Sequence, residues 1–454
     1  MSETKIIVLD DDPTGSQTVH SCLLLTRWDV ATLKKGLLDA SPLFFVLTNT
    51  RGMNAQQTAT LTREVCINLK QALAELNTAG HVIQPILVSR SDSTLRGHYP
   101  IETDVIAQQL GPFDAHFLVP AFFEGGRITR NGSHYLIVNG KDVPVHLTEF
   151  AKDSVFGYHH SYLPDYVEEK TQGRIKARDV VQFRLGDVRG ACLNRLMSLS
   201  ANVCCSVDAE TQADLDNFCR QLLTAVSQGK RFLFRSAASL LTSLAKLPPQ
   251  PVSAQDMQHY VRNARPGAVI VGSHVNKTTV QLQQLLAMPG TEPIEVDVER
   301  IEQNHQALLA HITTTVQQAH DNGKTPVIFT SRTEKTFVDQ KIRLAFGGMV
   351  SALLINIVRN LPATLGFLIS KGGITSNDVL SSGLELQSAR VLGQILAGCS
   401  VVRCPADHPR FPDLPVVIFP GNVGDEQALA TVYNRLTRYT TNAADSAAWQ
   451  PVKI

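Results

Sequence analysis

Three consecutive aspartates, Asp10, Asp11 and Asp12, follow directly on the apolar run Ile6-Ile7-Val8-Leu9. Adjacent carboxylates raise one another's pKa and resist burial, so such a cluster points to binding a metal or polyol hydroxyls, or to taking up a proton. A helix cap or a solvent-facing carboxylate accounts for one of the three, and the group as a whole is assigned to chemistry. Arg51, Arg90, Arg96 and Arg127 stand just past three other apolar runs of the same half. Planar guanidinium groups grip carboxylates through paired hydrogen bonds, so this set suits an acidic substrate. Asp92, Ser93 and Thr94 lie between two of these arginines and offer hydroxyl contacts.

The second half of the chain gathers glycines, hydroxyls and lysines instead. Phosphates bound without a large basic patch are held by backbone N–H groups at glycine turns and helix N-termini. Gly372-Gly373-Ile374-Thr375 fits that need, as do Gly421-Asn422-Val423-Gly424 and Gly272-Ser273 with Lys277, Thr278 and Thr279. None is a Walker loop, because Val271 and Asn276 stand where that motif requires glycine, and no G-x-G-x-x-G follows an apolar run. Three such loops on one sheet point to a nucleotide.

These clusters need a common frame. Each follows a short, continuous apolar run, as in Leu43-Phe-Phe-Val-Leu, Ile86-Leu-Val, Phe117-Leu-Val, Ala268-Val-Ile-Val, Val327-Ile-Phe, Gly366-Phe-Leu-Ile and Val416-Val-Ile-Phe. Helical spacing fills the intervals, notably Ala55 to Leu76 and Tyr99 to Leu110. Apolar strands alternating with helices predict an α/β fold with parallel sheets covered on both faces. Open sheets of this kind bind ligands beyond the carboxyl ends of their strands.

The expected architecture is two doubly wound, mostly parallel-sheet domains with the active-site cleft between them. The proline-rich Leu247-Pro-Pro-Gln-Pro-Val-Ser is the expected linker, giving domains of residues 1–245 and 246–454. Between Lys141 and Arg235 the rhythm is less regular, with Asn139-Gly140 as a hairpin turn and strands expected near Val180 and Phe232. The last dozen residues read as a weakly ordered tail.

With 454 residues and a formal net charge of +1, the chain has room for two cores and no broad pull toward nucleic acid or anionic membrane. No stretch approaches a membrane span or a signal peptide, and the eight cysteines form no regular framework. The expected location is therefore the cytoplasm, as a monomer or homo-oligomer. Cys399, Cys404 and His408 have loose zinc-like spacing but lack a fourth ligand, so no protein-held metal is expected.

Asp10-Asp-Asp-Pro-Thr-Gly, Ser91-Asp-Ser-Thr-Leu-Arg-Gly, Gly267 to Thr279, Lys371-Gly-Gly-Ile-Thr-Ser and Pro420-Gly-Asn-Val-Gly-Asp together resemble the four-carbon acid sugar kinases (DUF1537) in the family's order. The resemblance implies an N-terminal domain that binds a sugar acid and a C-terminal domain that binds ATP. Members phosphorylate threonate, erythronate, 3-oxo-tetronates and related short acids. Carried over by motif, substrate contacts fall on Asp11, Asp12, Arg51, Asp92 and Arg96. Nucleotide contacts fall on Ser273, Gly372, Gly373, Ile374, Thr375, Gly421 and Gly424. Ile374 departs from the family, which often has an acid after the paired glycines.

In the expected mechanism Arg51 and Arg96 hold the substrate carboxylate, and Asp12, or alternatively Asp11, accepts the hydroxyl proton. Mg²⁺ accompanies the ATP phosphates on the glycine loops, and closure of the two domains excludes water. Asp10, Arg90 and Ser93 complete the expected substrate side, and Asn422 the nucleotide side. Two rivals compete. Asp10-x-Asp12-x-Thr14 matches the nucleophile loop of haloacid-dehalogenase-type phosphatases, with Lys371 and Asn377-Asp378 as later motifs. A non-catalytic sugar-acid binding protein on a kinase scaffold is the other.

Overall fold

The computed structural model describes residues 3–273, 275–332, 340–421 and 423–437. Asn422 and the C-terminal tail lie outside the described residues. The apolar runs become parallel strands, and the two halves share one 15-stranded sheet. In the first half the parallel order is Leu23–Leu25, Leu43–Leu47, Glu3–Asp10, Ile83–Arg90, Phe232–Ser236, Ala115–Val119, Val203–Val207 and Val181–Phe183. In the second half it is Thr291–Val296, Thr325–Thr330, Ala268–Val271, Leu368–Lys371 and Pro415–Phe419. Strands such as Leu43–Leu47 and Pro415–Phe419 are buried at every position, which is why their sequences run apolar without alternation.

Helices cover the faces. Ala55–Thr78 begins in a capping box between Asn54 and Gln57 and lays Val65, Cys66, Leu69 and Leu76 on the sheet. A separate three-stranded antiparallel sheet, Arg127–Arg130, Ser133–Val138 and Lys141–Pro144, projects from the first half. Its second turn is Asn139-Gly140, with φ of 51° and 74°, the left-handed pair that a two-residue hairpin requires.

The halves are joined by a hairpin, Ser388–Leu396 and Cys399–Arg403, whose first strand pairs antiparallel with Leu23–Leu25. Arg390 secures the seam through two hydrogen bonds to the Asp39 carboxylate, at 2.9 and 2.6 Å. Three successive antiparallel pairings separate the two parallel sets, so their strands run in opposite senses within the sheet. In a flat sheet their carboxyl ends would point apart. Six strand-to-strand steps lie between Leu368–Lys371 and Glu3–Asp10. The usual twist of about 20–25° per step, roughly 120–150° over six steps, is the right size to bring the two sets of carboxyl ends round to one side of the molecule.

Candidate active site

Each parallel set places its polar loops at a point where the strand order reverses, the usual site of a crevice. In the first half that point lies around Glu3–Asp10, flanked by Leu43–Leu47 and Ile83–Arg90. Asp10–Asp12, Arg51 and Arg90–Arg96 therefore converge. In the second half it lies between Ala268–Val271 and Leu368–Lys371, which brings Ser273 to Gly372.

The aspartates divide by depth. Asp10 is fully buried, and a Cβ on Gly15 would fall onto its carboxylate. Burial pushes its pKa up to about 8; Arg90 works against this and the neighbouring Asp11 and Asp12 add to it. Asp11 is also buried, held by Arg51 (Nη2 to Oδ1, 2.5 Å) and by the Ser91 hydroxyl at 3.1 Å. Asp12 alone of the three reaches the cleft. Burial favours its neutral form, but Arg51, 3.4 Å away, and hydrogen bonds from Thr14 outweigh it and hold the carboxyl below its ordinary value.

A buried network fixes this arrangement. Glu102 pairs with Arg235, accepts from the Thr50 hydroxyl at 2.6 Å, and is almost wholly enclosed. Arg235 donates to Ser89 and Ser91, and Ser91 donates to Asp11. Gly97, at φ 116°, lets the chain pass this cluster, since a Cβ there would lie 2.6 Å from Arg235 Nη2 and 3.0 Å from Asp11 Oδ2.

The arginines are not equivalent. Arg51 is tied to Asp11 and Asp12, and Arg96 to Asp92 at 2.7 Å and to the face of Phe150. Those pairs hold Asp92 well below the carboxylate range despite its burial. Arg90 faces Asp10 at 3.5 Å and Gln17, whose amide, oriented to satisfy both neighbours, also donates to Gly398 of the second half. Arg127 differs: it has no carboxylate within ion-pair distance among the described residues. It donates to the Gly125 carbonyl and packs on Phe122, and its Nε is buried without a partner. Ser93 sits beside them, its carbonyl accepting from His134 of the small sheet at 2.8 Å.

Across the cleft the glycine loops interlock. Gly372, at φ 118° and ψ 142°, occupies backbone space that side chains avoid, and precedes the helix Gly373–Asp378. A Cβ on Gly272 would strike the Thr375 hydroxyl, and one on Gly421 would lie 3.7 Å from Ser273 Oγ. Thr278 joins two loops by donating to Ser273 Oγ and to the Gly421 carbonyl, each at 3.3 Å. Gly424, at φ 79°, turns that loop, which Gln281 pins through the Val423 and Asp425 carbonyls. Replacing Gly372 by Ala is expected to cost about 1–3 kcal/mol of stability through backbone strain. Urea unfolding measures that loss directly.

The two halves meet at Asp12 and Gly373, where a Cβ on the glycine would stand 3.2 Å from Asp12 Oδ2. Around this point opens a cleft of about 700 Å³. Of the residues singled out in the sequence, Asp12, Arg51, Arg90, Asp92, Ser93, Arg96, Gly373, Gly421 and Gly424 line it. Asp10 and Asp11 do not; their buried carboxylates brace Arg90 and Arg51 from beneath. Ser273, Gly372 and Thr375 form the layer behind Gly373 and Gly421 and do not border this cleft, and the Ile374 side chain is exposed to solvent. Glu102, Arg235, Gln17, Glu124 and the Leu396–Gly398 turn were not anticipated, since each arrives from an element whose place in the sheet only folding defines. Phe122-Phe-Glu-Gly-Gly-Arg, a polar, glycine-containing cluster after the strand Ala115–Val119, is the signal in the sequence that points to Glu124.

The geometry disfavours a dehalogenase-type nucleophile loop. Its attacking aspartate would be Asp10, which is enclosed against Gly15, and Lys371 points into the second half toward the carbonyls of Pro420 and Gly421. His408 is equally engaged, bonding the Leu384 carbonyl and the backbone N–H groups of Arg410 and Phe411. Among the described residues no helix is long and apolar enough to cross a membrane.

Two family models match the chain, one in each half. Residues 6–244 match the family model of sugar-binding N-terminal domains, and residues 268–429 that of nucleotide-binding C-terminal domains. A D-erythronate kinase of Heliobacterium modesticaldum is 27% identical over 219 residues, which is 47% of this chain and 47% of that protein. The similarity thus spans about half the length of the curated relative. Two solved structures share the fold at under 20% identity. A Salmonella typhimurium LT2 protein described as a candidate tRNA synthase has a TM-score of 0.69 at 19% identity, covering 96% of this chain and 99% of its own. A Haemophilus influenzae protein of the DUF1537 family has a TM-score of 0.64 at 18% identity, covering 95% and 100%. With both domain models matched in order, the first over more than half of the residues, the chain belongs to the four-carbon acid sugar kinase family.

Proposed function

We propose that the protein is an ATP-dependent kinase that transfers the γ-phosphoryl group to a hydroxyl of a small, four-carbon-type sugar acid. The observation that carries this reading is the meeting of Asp12, an ionised carboxylate on the arginine side, with the Gly373 turn on the glycine side. Residues 1–245 take the sugar acid and residues 246–454 the nucleotide. ATP is the second substrate, with Mg²⁺ carried on its phosphates. The glycine loops fit that group, because side chains at Gly373 and Gly421 would fill the space it needs.

The substrate hydroxyl attacks the γ-phosphorus, its proton passes to Asp12, the bridging P–O bond breaks, and ADP leaves. Thr14 and Arg51 keep the base deprotonated and oriented. Positioning and charge neutralisation supply most of the acceleration in such a transfer. Arg51 and Arg96 are already paired, so Arg127 is the guanidinium left to bind the substrate carboxylate, with Arg90 beside the same space. Arg127→Met is expected to raise KM for the acid roughly 10- to 100-fold, the worth of a hydrogen bond to a charged group, and to leave KM for ATP unchanged. Steady-state kinetics with each substrate varied in turn decides this.

The activity itself is tested by incubating the protein with Mg-ATP and a panel of erythronates, threonates and 3-oxo-tetronates, with a coupled readout of ADP. ADP that depends on one acid supports the kinase and identifies its acceptor. Absence of ATP binding by calorimetry would overturn the reading.

A further inference from the structure

Lys371 ends the strand Leu368–Lys371, and its side chain is wholly buried. Its ammonium donates to the carbonyl oxygens of Pro420 at 2.7 Å and Gly421 at 3.2 Å, and lies 4.1 Å from the centroid of the Phe419 ring. The ionisable groups bearing on it are Cys399, buried on the strand Cys399–Arg403, and Lys277 on the helix Asn276–Leu286. Neither is a carboxylate. A buried cation costs several kcal/mol unless an anion balances it, and two carbonyls with a ring offset only part of a full charge.

An anion bound in the cleft would lie close enough to balance that charge. Pro420 and Gly421 line the cleft, so the ammonium sits one peptide behind its wall. In a trans peptide the C=O and N–H point in opposite directions. Drawing the Pro420 carbonyl inward to Lys371 therefore turns the Gly421 N–H outward, toward the cleft.

We propose that Lys371 is a positioning residue for the nucleotide, which fixes the Pro420–Gly421 peptide with its N–H facing the cleft and takes up a proton as the phosphates bind. This rests on reading the glycine loops as the phosphate site. Burial pushes the Lys371 amine down to about 7; Cys399 opposes that shift and Lys277 adds to it. Above that value the free enzyme holds Lys371 neutral, and an anion arriving one peptide away raises its pKa. Binding then draws a proton from solvent, and affinity falls about tenfold per pH unit until the bound-state pKa is passed.

The test is calorimetric titration of the full chain with Mg-ADP near pH 8, in buffers of different ionisation enthalpy, which gives the number of protons exchanged. The wild type is expected to take up close to one proton. Lys371→Arg keeps the charge and donors, so it should retain affinity while losing both the uptake and the pH dependence. Lys371→Met should lose roughly 10- to 100-fold in affinity with little change in kcat. Nucleotide binding by the wild type without proton uptake, or uptake that persists in Lys371→Arg, would overturn this proposal and leave the nucleotide reading intact. No Mg-ADP binding by the wild type would overturn both.

Discussion

Replacing Asp12 by Asn lowers kcat by about 10²- to 10⁴-fold and leaves the Kd for Mg-ATP within a few-fold of wild type. The size follows from removing the proton acceptor while keeping its shape. The direction follows from position, because Asp12 is the one aspartate of the triplet that lines the cleft, and it faces Gly373. Its pH dependence has a definite sign. Arg51 and Thr14 hold Asp12 below the ordinary carboxylate value, so the base stays ionised at neutral pH and is lost only as pH falls through that lowered pKa. Activity should accordingly show no acid limb from this group until well below neutrality. Steady-state rates across pH, with calorimetry for the nucleotide, check both parts. Turnover by the Asn variant within about threefold of wild type would remove Asp12 from the mechanism.

Glu102→Ala destabilises the protein by about 3–5 kcal/mol, because it leaves the Arg235 charge buried and unpaired. Neither residue borders the main cleft, yet both govern it. Arg235 holds Ser91, Ser91 holds Asp11, and Asp11 holds Arg51. The variant should therefore also lose activity at temperatures where it remains folded, chiefly in kcat, as Arg51 loses its seat. Denaturant unfolding of both proteins, with m-values compared, measures the first effect, and kinetics well below the unfolding midpoint measures the second. A loss under about 1 kcal/mol would mean that solvent reaches Arg235 readily once Glu102 is gone. Glu102→Gln, which keeps the acceptor oxygen for Thr50, should fall between the two.

The strands that frame both halves were legible because a strand buried on two faces must be apolar throughout, and the loops after them stood out by contrast. Asp12, Arg90, Arg96, Gly373 and Gly421 could be assigned to one cleft on that basis alone. Short or amphipathic elements left weaker marks. Leu23–Leu25 is only three residues long, and the hairpin of Ser388–Leu396 and Cys399–Arg403 carries a mixed sequence with register shifts. Yet this hairpin joins the two parallel-sheet domains into one continuous sheet, a link that no local pattern in the sequence marks.

What the sequence determined by itself was local: which residue types end each strand, and hence that an arginine-rich set and a glycine-rich set exist. Burial periodicity and turn chemistry depend on neighbours in the chain, so they can be read along it. The tertiary structure decided everything that depends on distance across the sheet. It placed Asp10 and Asp11 beneath the cleft and Asp12 within it, paired three of the arginines, left Arg127 without a carboxylate among the described residues, and put Lys371 behind the Pro420–Gly421 peptide. It also brought the loops of two oppositely directed sets of strands together at Asp12 and Gly373, which no local pattern records. Charge pairing and depth are properties of the assembled fold, because each depends on groups brought together from distant parts of the chain.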